Sequence, residues 1–579
     1  MAVLHQYDNI FALAIIFTAL EAWNIGANDV ANSFASTVSS RSLTLKQAMT
    51  LASVCEFSGS ISAGGRVMGT ARTKIISPHH FQDAPDVLLL AMMCTIVASA
   101  IFLTIATRYG MPVSTTHSVV GGLVGTAAGS VGLSKVNWGW TGVARVITAW
   151  VAAPALAGII GACLFIFTKF TVLSRPNAVK RAFCSIPFYT FVTVGAVTML
   201  VVWGGIHHVI LSTETILISV LTAATAAAVI QGFFVMPYLW VMIMREDWTL
   251  KWYHVFQGPF LLKRPLPPPL PPGHVRPQVT DYYRGHLTPE ELACVRASEN
   301  LLRSVQTLDG EPPSMDKDED PILTPVLSSC TTLAQTPTRQ TCFSEEDSKP
   351  RPSPSWSRPR VIWWRVSRFV LRGIEKDVVS MQKRNAILSW DIEDMHSRAA
   401  RYDNRAEHMY TTLQVLTAAA ASFTHGANDV SNAVAPLATA WEVWSKGRVT
   451  RMIDVPIWVL CFGGAAIVIG LLTFGYHVMR TLGNRLTLIS PSRGFCMELA
   501  SAVTVLVATR LMLPVSTTQC ITGATVGVGL ANGDWKSINP KLVGWIYLGW
   551  LITVPATGLM AGCLMSLLLN SPSWPTPPA

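Results

Sequence analysis

The sequence has little charge for its length. Only 13% of its 579 residues are charged, whereas half are hydrophobic and the mean hydropathy is +0.39. Because a soluble domain carries about 25% charged residues, this shortage excludes an ordinary soluble protein. Apolar runs of helix length recur instead, each long enough to cross the ~30 Å hydrocarbon core of a lipid bilayer. We therefore predict an all-α, polytopic membrane protein.

Several kinds of site are also missing from the sequence. The eleven cysteines form no C-x-x-C pair, which argues against a thiolate metal centre or a disulfide framework. No nucleophile–base–orienter set or metal-ligand spacing appears, so we predict neither an enzyme nor a resident cofactor. The net charge is +10, but residues 245–398 hold 21 basic and 20 acidic residues, which leaves the excess spread over short loops. No nucleic-acid partner is indicated.

The apolar segments predict about twelve transmembrane spans, seven before and five after a long central segment. We expect residues 1–244 to form an N-terminal transmembrane repeat and residues 405–579 a C-terminal one. Residues 245–404 are predicted to be a cytoplasmic, largely disordered linker with a basic amphipathic stretch, because proline, serine and acidic clusters bury too little apolar surface to fold. The predicted spans are about 9–40, 48–65, 87–107, 112–133, 139–168, 187–205, 215–244, 409–440, 454–476, 486–509, 514–531 and 541–568.

A polar stretch interrupts the first and the eighth span. Residues 26–32 read Gly-Ala-Asn-Asp-Val-Ala-Asn, and residues 426–432 read Gly-Ala-Asn-Asp-Val-Ser-Asn. An Asn-Asp pair is costly inside a membrane and by default marks a functional site. Since glycine lets the backbone leave helical geometry and Asn and Asp favour local turns, we predict that both helices are broken there.

A second motif, Pro-Val-Ser-Thr-Thr, is also duplicated, at residues 112–116 and 514–518. The first motif recurs after 400 residues and the second after 402, which indicates an internal duplication. Equivalent segments are seven spans apart, an odd number, so the halves should face opposite ways across the membrane. Inverted-topology repeats with broken or re-entrant helices at a midplane site are typical of secondary transporters.

The second motif predicts an anion site. Proline at a helix start and three hydroxyls in the first turn would present free N–H donors and a positive dipole to a small oxyanion. The alternative for any one hydroxyl is back-bonding within its own helix, but duplication in register favours the site. The predicted anion-binding residues are Asn28, Asn32, Ser114, Thr115, Thr116, Asn428, Asn432, Ser516, Thr517 and Thr518.

The carboxylates predict a cation site. Asp29 and Asp429, beside amide and carbonyl oxygens, form a hard ligand set that suits Na+ and can also carry protons. Glu56 and Glu498 have no charged neighbour within helical reach, so we predict that they couple cation binding to transport. His425 either tunes this site, moves protons or packs structurally.

Glu21 is a further acid in an apolar context. It lies two turns before the first Asn-Asp pair and either lines the pathway or bonds within its own helix.

The duplicated motifs give the chain a family resemblance. It resembles the PiT family of inorganic phosphate transporters, and residues 22–34 are similar to the fungal sodium-coupled branch, in which an acid also fills the position of Glu21. The resemblance covers roughly residues 5–250 and 405–570. It implies symport of inorganic phosphate with Na+, or with H+ in some members, using both motifs and the two glutamates. Gln519 departs from the histidine usual after the second motif, which weakens the proton alternative slightly.

These observations together predict a sodium-coupled phosphate symporter that works by alternating access in the plasma membrane. A proton-coupled symporter and a phosphate sensor or receptor of the same fold are the alternatives, and a homodimer stays open.

Overall fold

The computed structural model describes residues 4–203, 211–269, 279–308, 361–362, 365, 378–382, 391–450, 455–511, 513 and 515–571. Within these ranges the chain is helical and has no strand, only two isolated β-bridges. The all-α class is therefore confirmed. Seven of the described helical segments are long and apolar enough to cross a membrane: His5–Ser39, Pro85–Arg108, Val143–Leu173, Ala178–Val202, Thr213–Met244, Ile457–Phe474 and Pro540–Asn570.

The helices before the central segment are α1 (Asp8–Ile25), α2 (Ala31–Ser39), α3 (Leu45–Ile75), α4 (Pro85–Arg108), α5 (Thr115–Gly129), α6 (Val143–Thr168), α7 (Ala178–Trp203), α8 (Thr213–Ile230) and α9 (Met236–Met244). Single π-helical turns join α1 to α2 at Gly26–Val30 and α8 to α9 at Gln231–Val235, and a third follows α6 at Lys169–Leu173.

The described part of the central segment contains 3-10 turns within Trp252–Lys263 and the helices α10 (Pro289–Leu308), α11 (Val378–Gln382) and α12 (Ile392–Ser397). The rest of the predicted linker, including most of the basic stretch at 361–400, lies outside the described residues. The C-terminal helices are α13 (Asn404–Lys446), α14 (Ile457–Phe474), α15 (Tyr476–Met479), α16 (Pro491–Arg510), α17 (Thr517–Leu530) and α18 (Pro540–Asn570). Short 3-10 turns lie at His5–Tyr7, Pro78–Phe81, Leu133–Lys135, Gly483–Arg485 and Trp535–Ser537.

Each of the twelve predicted spans contains a described helix, but they are not all alike. Helices α3, α13 and α16 are long and more polar than the seven apolar segments, because they carry Glu56, the second Asn-Asp motif and Glu498. Helices α5 and α17 have 15 and 14 residues. At 1.5 Å per residue these two helices are only ~20 Å long, too short to cross the hydrocarbon core.

Helices α5 and α17 each form a hairpin with the helix before it. A non-helical stretch separates α4 from α5, with Gly110 at a φ of +66° that favours glycine, and α5 packs back along α4. Helix α17 packs against α16 in the same way. The polar Ser-Thr-Thr turns therefore begin two short helices inside the helical assembly.

The Asn-Asp motifs do not unwind the backbone as predicted. The first is a π turn, and α13 runs through the second without interruption from Asn404 to Lys446. The predicted break at the second motif is thus wrong. The glycine of this motif instead allows α3 and α13 to pack closely, because a Cβ on Gly426 would lie 2.3 Å from the carbonyl oxygen of Glu56 on α3. Small residues at helix contacts are what membrane packing favours.

The helix contacts of the two halves correspond pair by pair. Helix α1 packs on α4 and α14, and α13 packs on α16 and α3. Helix α5 packs on α18, and α6 packs on α17. The two halves are therefore interleaved, since the helix that follows the short helix in each half lies against the short helix of the other half.

Close backbone contacts recur in the same way. A Cβ on Gly26 would lie 1.8 Å from Ile467 O, which matches the contact of Gly426 on α3. A Cβ on Gly125 would lie 2.0 Å from Gly558 O, and one on Gly527 would lie 2.0 Å from Gly158 O. The two isolated bridges, Ile76–Val136 and Thr487–Ile538, also occupy corresponding positions. These matched contacts hold the hairpins in place around the Asn-Asp motifs.

Candidate functional site

The carboxylates of both Asn-Asp motifs meet at the first turn of α17. Thr518 Oγ1 donates to Asp29 Oδ1 over 2.7 Å, and Thr517 Oγ1 donates to Asp429 Oδ2 over 2.6 Å. Both aspartates are buried, with exposed fractions of 2% and 1%. Asp29 and Thr518 are 489 positions apart in the sequence, so the site is built from both halves of the chain.

The first turn of α5 contacts the second Asn-Asp motif. Asn432 Nδ2 lies 3.0 Å from Thr115 Oγ1 and 3.1 Å from Thr116 Oγ1. Thr116 also reaches the Val515 carbonyl across the centre, at 3.5 Å. Asn428 Nδ2 donates to Asp429 Oδ1 over 2.7 Å and lies 3.4 Å from the same carbonyl. These hydroxyls face other helices and are not back-bonded within their own.

The two Ser-Thr-Thr turns begin helices, as predicted, but Pro112 does not, and Pro514 lies outside the described residues. Ser114 and Ser516 are N-caps, whose hydroxyls accept from the backbone N–H of His117 at 3.3 Å and of Gln519 at 3.4 Å. Pro112 lies in the non-helical stretch before α5, so its predicted place at the helix start is wrong. Serine suits the N-cap position because its side-chain oxygen accepts a hydrogen bond from a free backbone N–H, whereas the proline side chain has no acceptor.

Two of the predicted anion ligands differ from the rest. Asn28 Nδ2 donates to Thr107 Oγ1 and Met111 O, and its Oδ1 accepts from Val113 N at 3.2 Å. Its side chain therefore holds the stretch before α5 in place and does not join the aspartate contacts. Asn32 has a side chain that lies outside the described residues.

His425 connects two carboxylates, one on α3 and one on its own helix α13. Its Nδ1 lies 2.8 Å from Glu56 Oε2 on α3, and its Nε2 lies 2.9 Å from Asp429 Oδ2, one turn along α13. The second contact has ion-pair distance without hydrogen-bond alignment. Ser422 Oγ donates to the other oxygen of Glu56 over 2.7 Å. The imidazole thus links Glu56 to the aspartate site.

Three of these side chains could share one cation. One ligand atom from each of Asp29, His425 and Asp429 lies within 4.8 Å of the others, and all three residues are buried. Asp29 Oδ2 has no hydrogen-bond partner among the described residues. Carboxylate oxygens with neighbouring hydroxyls form a ligand set that suits a hard cation.

Glu498 lies in a separate polar cluster. Its Oε1 accepts from Ser36 at 2.6 Å and Thr37 at 2.8 Å, both on α2, while Thr417 on α13 donates to Oε2 over 2.6 Å. Gln414 Nε2 adds a fourth contact at 3.2 Å. Within the described part of the chain the donors to this carboxylate are all neutral, and none of them also bonds Glu56 or the aspartates.

Sequence reasoning missed the partners of the glutamates. Gln414 and Thr417 lie three residues apart on α13 and share one face. Their polarity inside an apolar run was the available signal. Ser36 and Thr37 follow the first motif by about one turn and gave no comparable signal, because small hydroxyls are common in membrane helices.

Comparisons with known proteins agree with this architecture. The sequence model of the phosphate transporter family matches residues 25–561. The chain is 46% identical to the phosphate-repressible phosphate permease pho-4 of Neurospora crassa, over 99% of both proteins. It is 27% identical to the sodium-dependent phosphate transporter 2 of Xenopus tropicalis, over 93% of this chain and 94% of that protein.

A solved structure described as the sodium-dependent phosphate transporter is also similar, with a TM-score of 0.58 and 25% identity. The match covers 97% of this chain and 100% of the other. The resemblance inferred from the duplicated motifs is confirmed by these matches. The chain belongs to the phosphate transporter family.

Proposed function

We propose that this protein is a sodium-coupled inorganic phosphate symporter that works by alternating access. The observation that carries the proposal is the shared turn of α17, where Thr518 and Thr517 bond Asp29 and Asp429 from opposite halves. A site made by both halves can open to one side or the other as they move. The names of the relatives, a phosphate permease and a sodium-dependent phosphate transporter, supply the substrates.

The chemistry of the site supports a cation and an oxyanion together. Helices α5 and α17 both begin there, so their first N–H groups and dipoles favour an anion such as HPO4²⁻. Asp29 and Asp429 would repel that anion unless their charge were offset. A Na+ bound by their carboxylates supplies the offset, and this makes phosphate binding depend on Na+.

Inverted repeats are part of the proposal. Corresponding helices of the two halves make corresponding contacts, and equivalent spans are an odd number apart in the predicted order. With the central segment on the cytoplasmic side, the halves would face opposite ways and rock around the shared turn. The protein would be a multi-pass protein of the plasma membrane.

A proton-coupled symporter is the second candidate, and His425 is the observation that favours it. Its ring lies between Glu56 and Asp429, within 2.9 Å of both. A histidine in that place can accept and release a proton during transport. Uptake of radiolabelled phosphate at fixed pH, with Na+ replaced by choline, separates the two candidates.

The first test is the substitution of each aspartate. We expect Asp29→Asn and Asp429→Asn to lose sodium-dependent phosphate uptake in proteoliposomes, because the neutral amide keeps the size but removes the charge that holds Na+. Glu214→Gln, at the exposed N-terminus of α8, is the matched control and should transport normally. Normal sodium-dependent uptake by either aspartate variant would overturn the proposal.

A further inference from the structure

Glu21 is a buried carboxylate that the transport site described above does not use. It lies on α1 with no exposed surface, and its Oε1 accepts from Ser99 Oγ on α4 at 2.6 Å. The alternative that it bonds within its own helix is therefore wrong. Its Oε2 is buried without a hydrogen-bond partner among the described residues. Burying a carboxylate oxygen without a partner raises the free energy of the folded protein, and a positively charged partner would offset this cost.

The bonded oxygen of Glu21 belongs to a chain that joins three helices. Ser99 Oγ also lies 2.7 Å from Ser118 Oγ on α5. A serine hydroxyl has one proton, so when Ser99 donates to Glu21 it accepts from Ser118. The carboxylate thereby ties α1 to α4 and to the short helix α5. Ser118 lies one turn after Thr115, so this series of hydrogen bonds extends to the first turn of α5, where the anion site lies.

The free oxygen of Glu21 has two similar neighbours along α1. Thr18 and Asn24 lie three residues before and after it, on the same helix face. Both are fully buried, and Thr18 Oγ1 and Asn24 Oδ1 have no partner within the described part of the chain. Asn24 Nδ2 is used elsewhere, by Ala100 O and Thr104 Oγ1 on α4. One face of α1 thus presents buried oxygen atoms that have no partner among the described residues.

A proton alone does not resolve this arrangement. A proton on Glu21 would cancel its charge, but its single hydrogen bond could satisfy at most one of the other unpaired oxygens on this face, Thr18 Oγ1 and Asn24 Oδ1, among the described residues. A small cation resolves it, because it accepts several oxygen ligands at once and cancels the negative charge. Oxygen-only ligands select a hard alkali cation over a transition metal.

We propose that Glu21 binds one Na+ at a second cation site, between α1, α4 and α5, with Ser99 and the neighbouring α1 oxygens as further ligands. Eight residues separate Glu21 from Asp29, ~12 Å along the helix, so one ion cannot serve both carboxylates. The site occurs in one half only. At the positions 400 residues later, Ala418 and Ala421 replace Thr18 and Glu21.

Na+ bound at the proposed site would position residues that bind phosphate. A cation at Glu21 holds α5 against α1 and α4 through Ser99 and Ser118. Since Thr115 and Thr116 lie in the first turn of α5, the ion fixes part of the anion site before phosphate arrives. This inference goes beyond the proposed function, because it concerns a cation that the paired aspartates do not hold.

Direct binding of radioactive ²²Na+ to the purified full-length protein in detergent tests the inference without requiring transport. We expect Glu21→Gln to bind one Na+ fewer per chain than the native protein, and Ser99→Ala to bind the same ion at least tenfold more weakly. Glu214→Gln on α8 and Ser219→Ala, whose hydroxyl bonds Thr215 O in its own helix, are the matched controls and should bind normally. Unchanged Na+ binding by a folded Glu21→Gln protein overturns the site.

A second measurement separates this inference from the proposed function. The Asp29→Asn, Asp429→Asn double variant should lose phosphate uptake yet keep the Na+ that depends on Glu21. Thermal unfolding of this double variant should shift upward when choline is replaced by Na+, because an ion that binds only the folded state stabilises it. Adding Glu21→Gln should abolish the shift. A shift that survives Glu21→Gln overturns the second site, whereas sodium-independent uptake by the native protein overturns only the proposed coupling.

Discussion

At the scale of single residues, the centre of the molecule depends on buried charges that share partners. Glu56 has no exposed surface and lies 2.8 Å from His425, which in turn lies 2.9 Å from Asp429. Removing one member of such a group leaves an uncompensated charge in the interior, and this costs about 3–5 kcal/mol. Removing both members of a pair costs less than the sum.

A double-mutant cycle should therefore detect coupling between Glu56 and His425. We expect Glu56→Gln and His425→Gln to be each strongly destabilising and their combination to be non-additive by about 0.5–3 kcal/mol. Unfolding of the purified protein in detergent measures the free energies. The matched control is the Glu442–Lys446 pair, whose lysine is 49% exposed and whose coupling should stay below about 1 kcal/mol. Additive effects at Glu56 and His425 would contradict the link.

At the scale of elements, the second Asn-Asp motif differs from its prediction because of packing. Helix α13 stays intact through Gly426, whose missing side chain lets α3 approach to contact. The motif therefore keeps its side chains in helical register, and His425 and Asp429 stand one turn apart on the same face. A continuous helix holds this pair more rigidly than an unwound loop would.

Two glycine substitutions test the close contact between α3 and α13. We expect Gly426→Ala to destabilise the protein by about 1–3 kcal/mol, because its Cβ would lie 2.3 Å from Glu56 O and one helix must move. Gly544→Ala on α18 is the matched control, since nothing lies within 4 Å of the added carbon. Thermal unfolding compares the two variants. Equal melting temperatures would contradict the packing role of Gly426.

At the scale of the whole molecule, parts of the central segment are docked onto both halves. Tyr283 donates to Glu407 Oε1 over 3.0 Å, and Ser492 N donates to Glu407 Oε2 over 2.8 Å. Gln382 on α11 is buried and donates to Ser39 Oγ over 2.9 Å and to Met479 O over 2.8 Å. These parts of the predicted linker therefore act as structural elements.

The central segment should consequently have two regions of different importance. Residues 309–360 are rich in proline, serine and acidic residues, so we expect their deletion to leave phosphate uptake within about twofold of the native rate. Replacing residues 279–308 by a Gly-Ser linker of equal length removes the Tyr283 contact and should lower both uptake and melting temperature. Equal effects of the two changes would contradict this division. Normal uptake with lost phosphate-dependent signalling in the 309–360 deletion would favour the sensor alternative.

The sequence alone determined the class of the protein and the identity of its polar motifs. Low charge and long apolar runs indicate helices surrounded by lipid, so a membrane protein can be recognised without tertiary information. Duplication in register marked the Asn-Asp pairs and the Ser-Thr-Thr turns, although the structure places Ser114 and Ser516, and not proline, at the N-caps.

Only the tertiary structure decided which of these residues meet. His425 and Glu56 are 369 residues apart, and Ser36 and Glu498 are 462 apart. No local pattern specifies such pairs, because they depend on how interleaved helices pack. Packing also decided that Gly426 lies at a close helix contact and that Glu21 bonds to α4, while its second oxygen has no partner among the residues that the structure describes. The chemistry of each motif thus identifies the candidate residues from the sequence, whereas their partners depend on long-range packing.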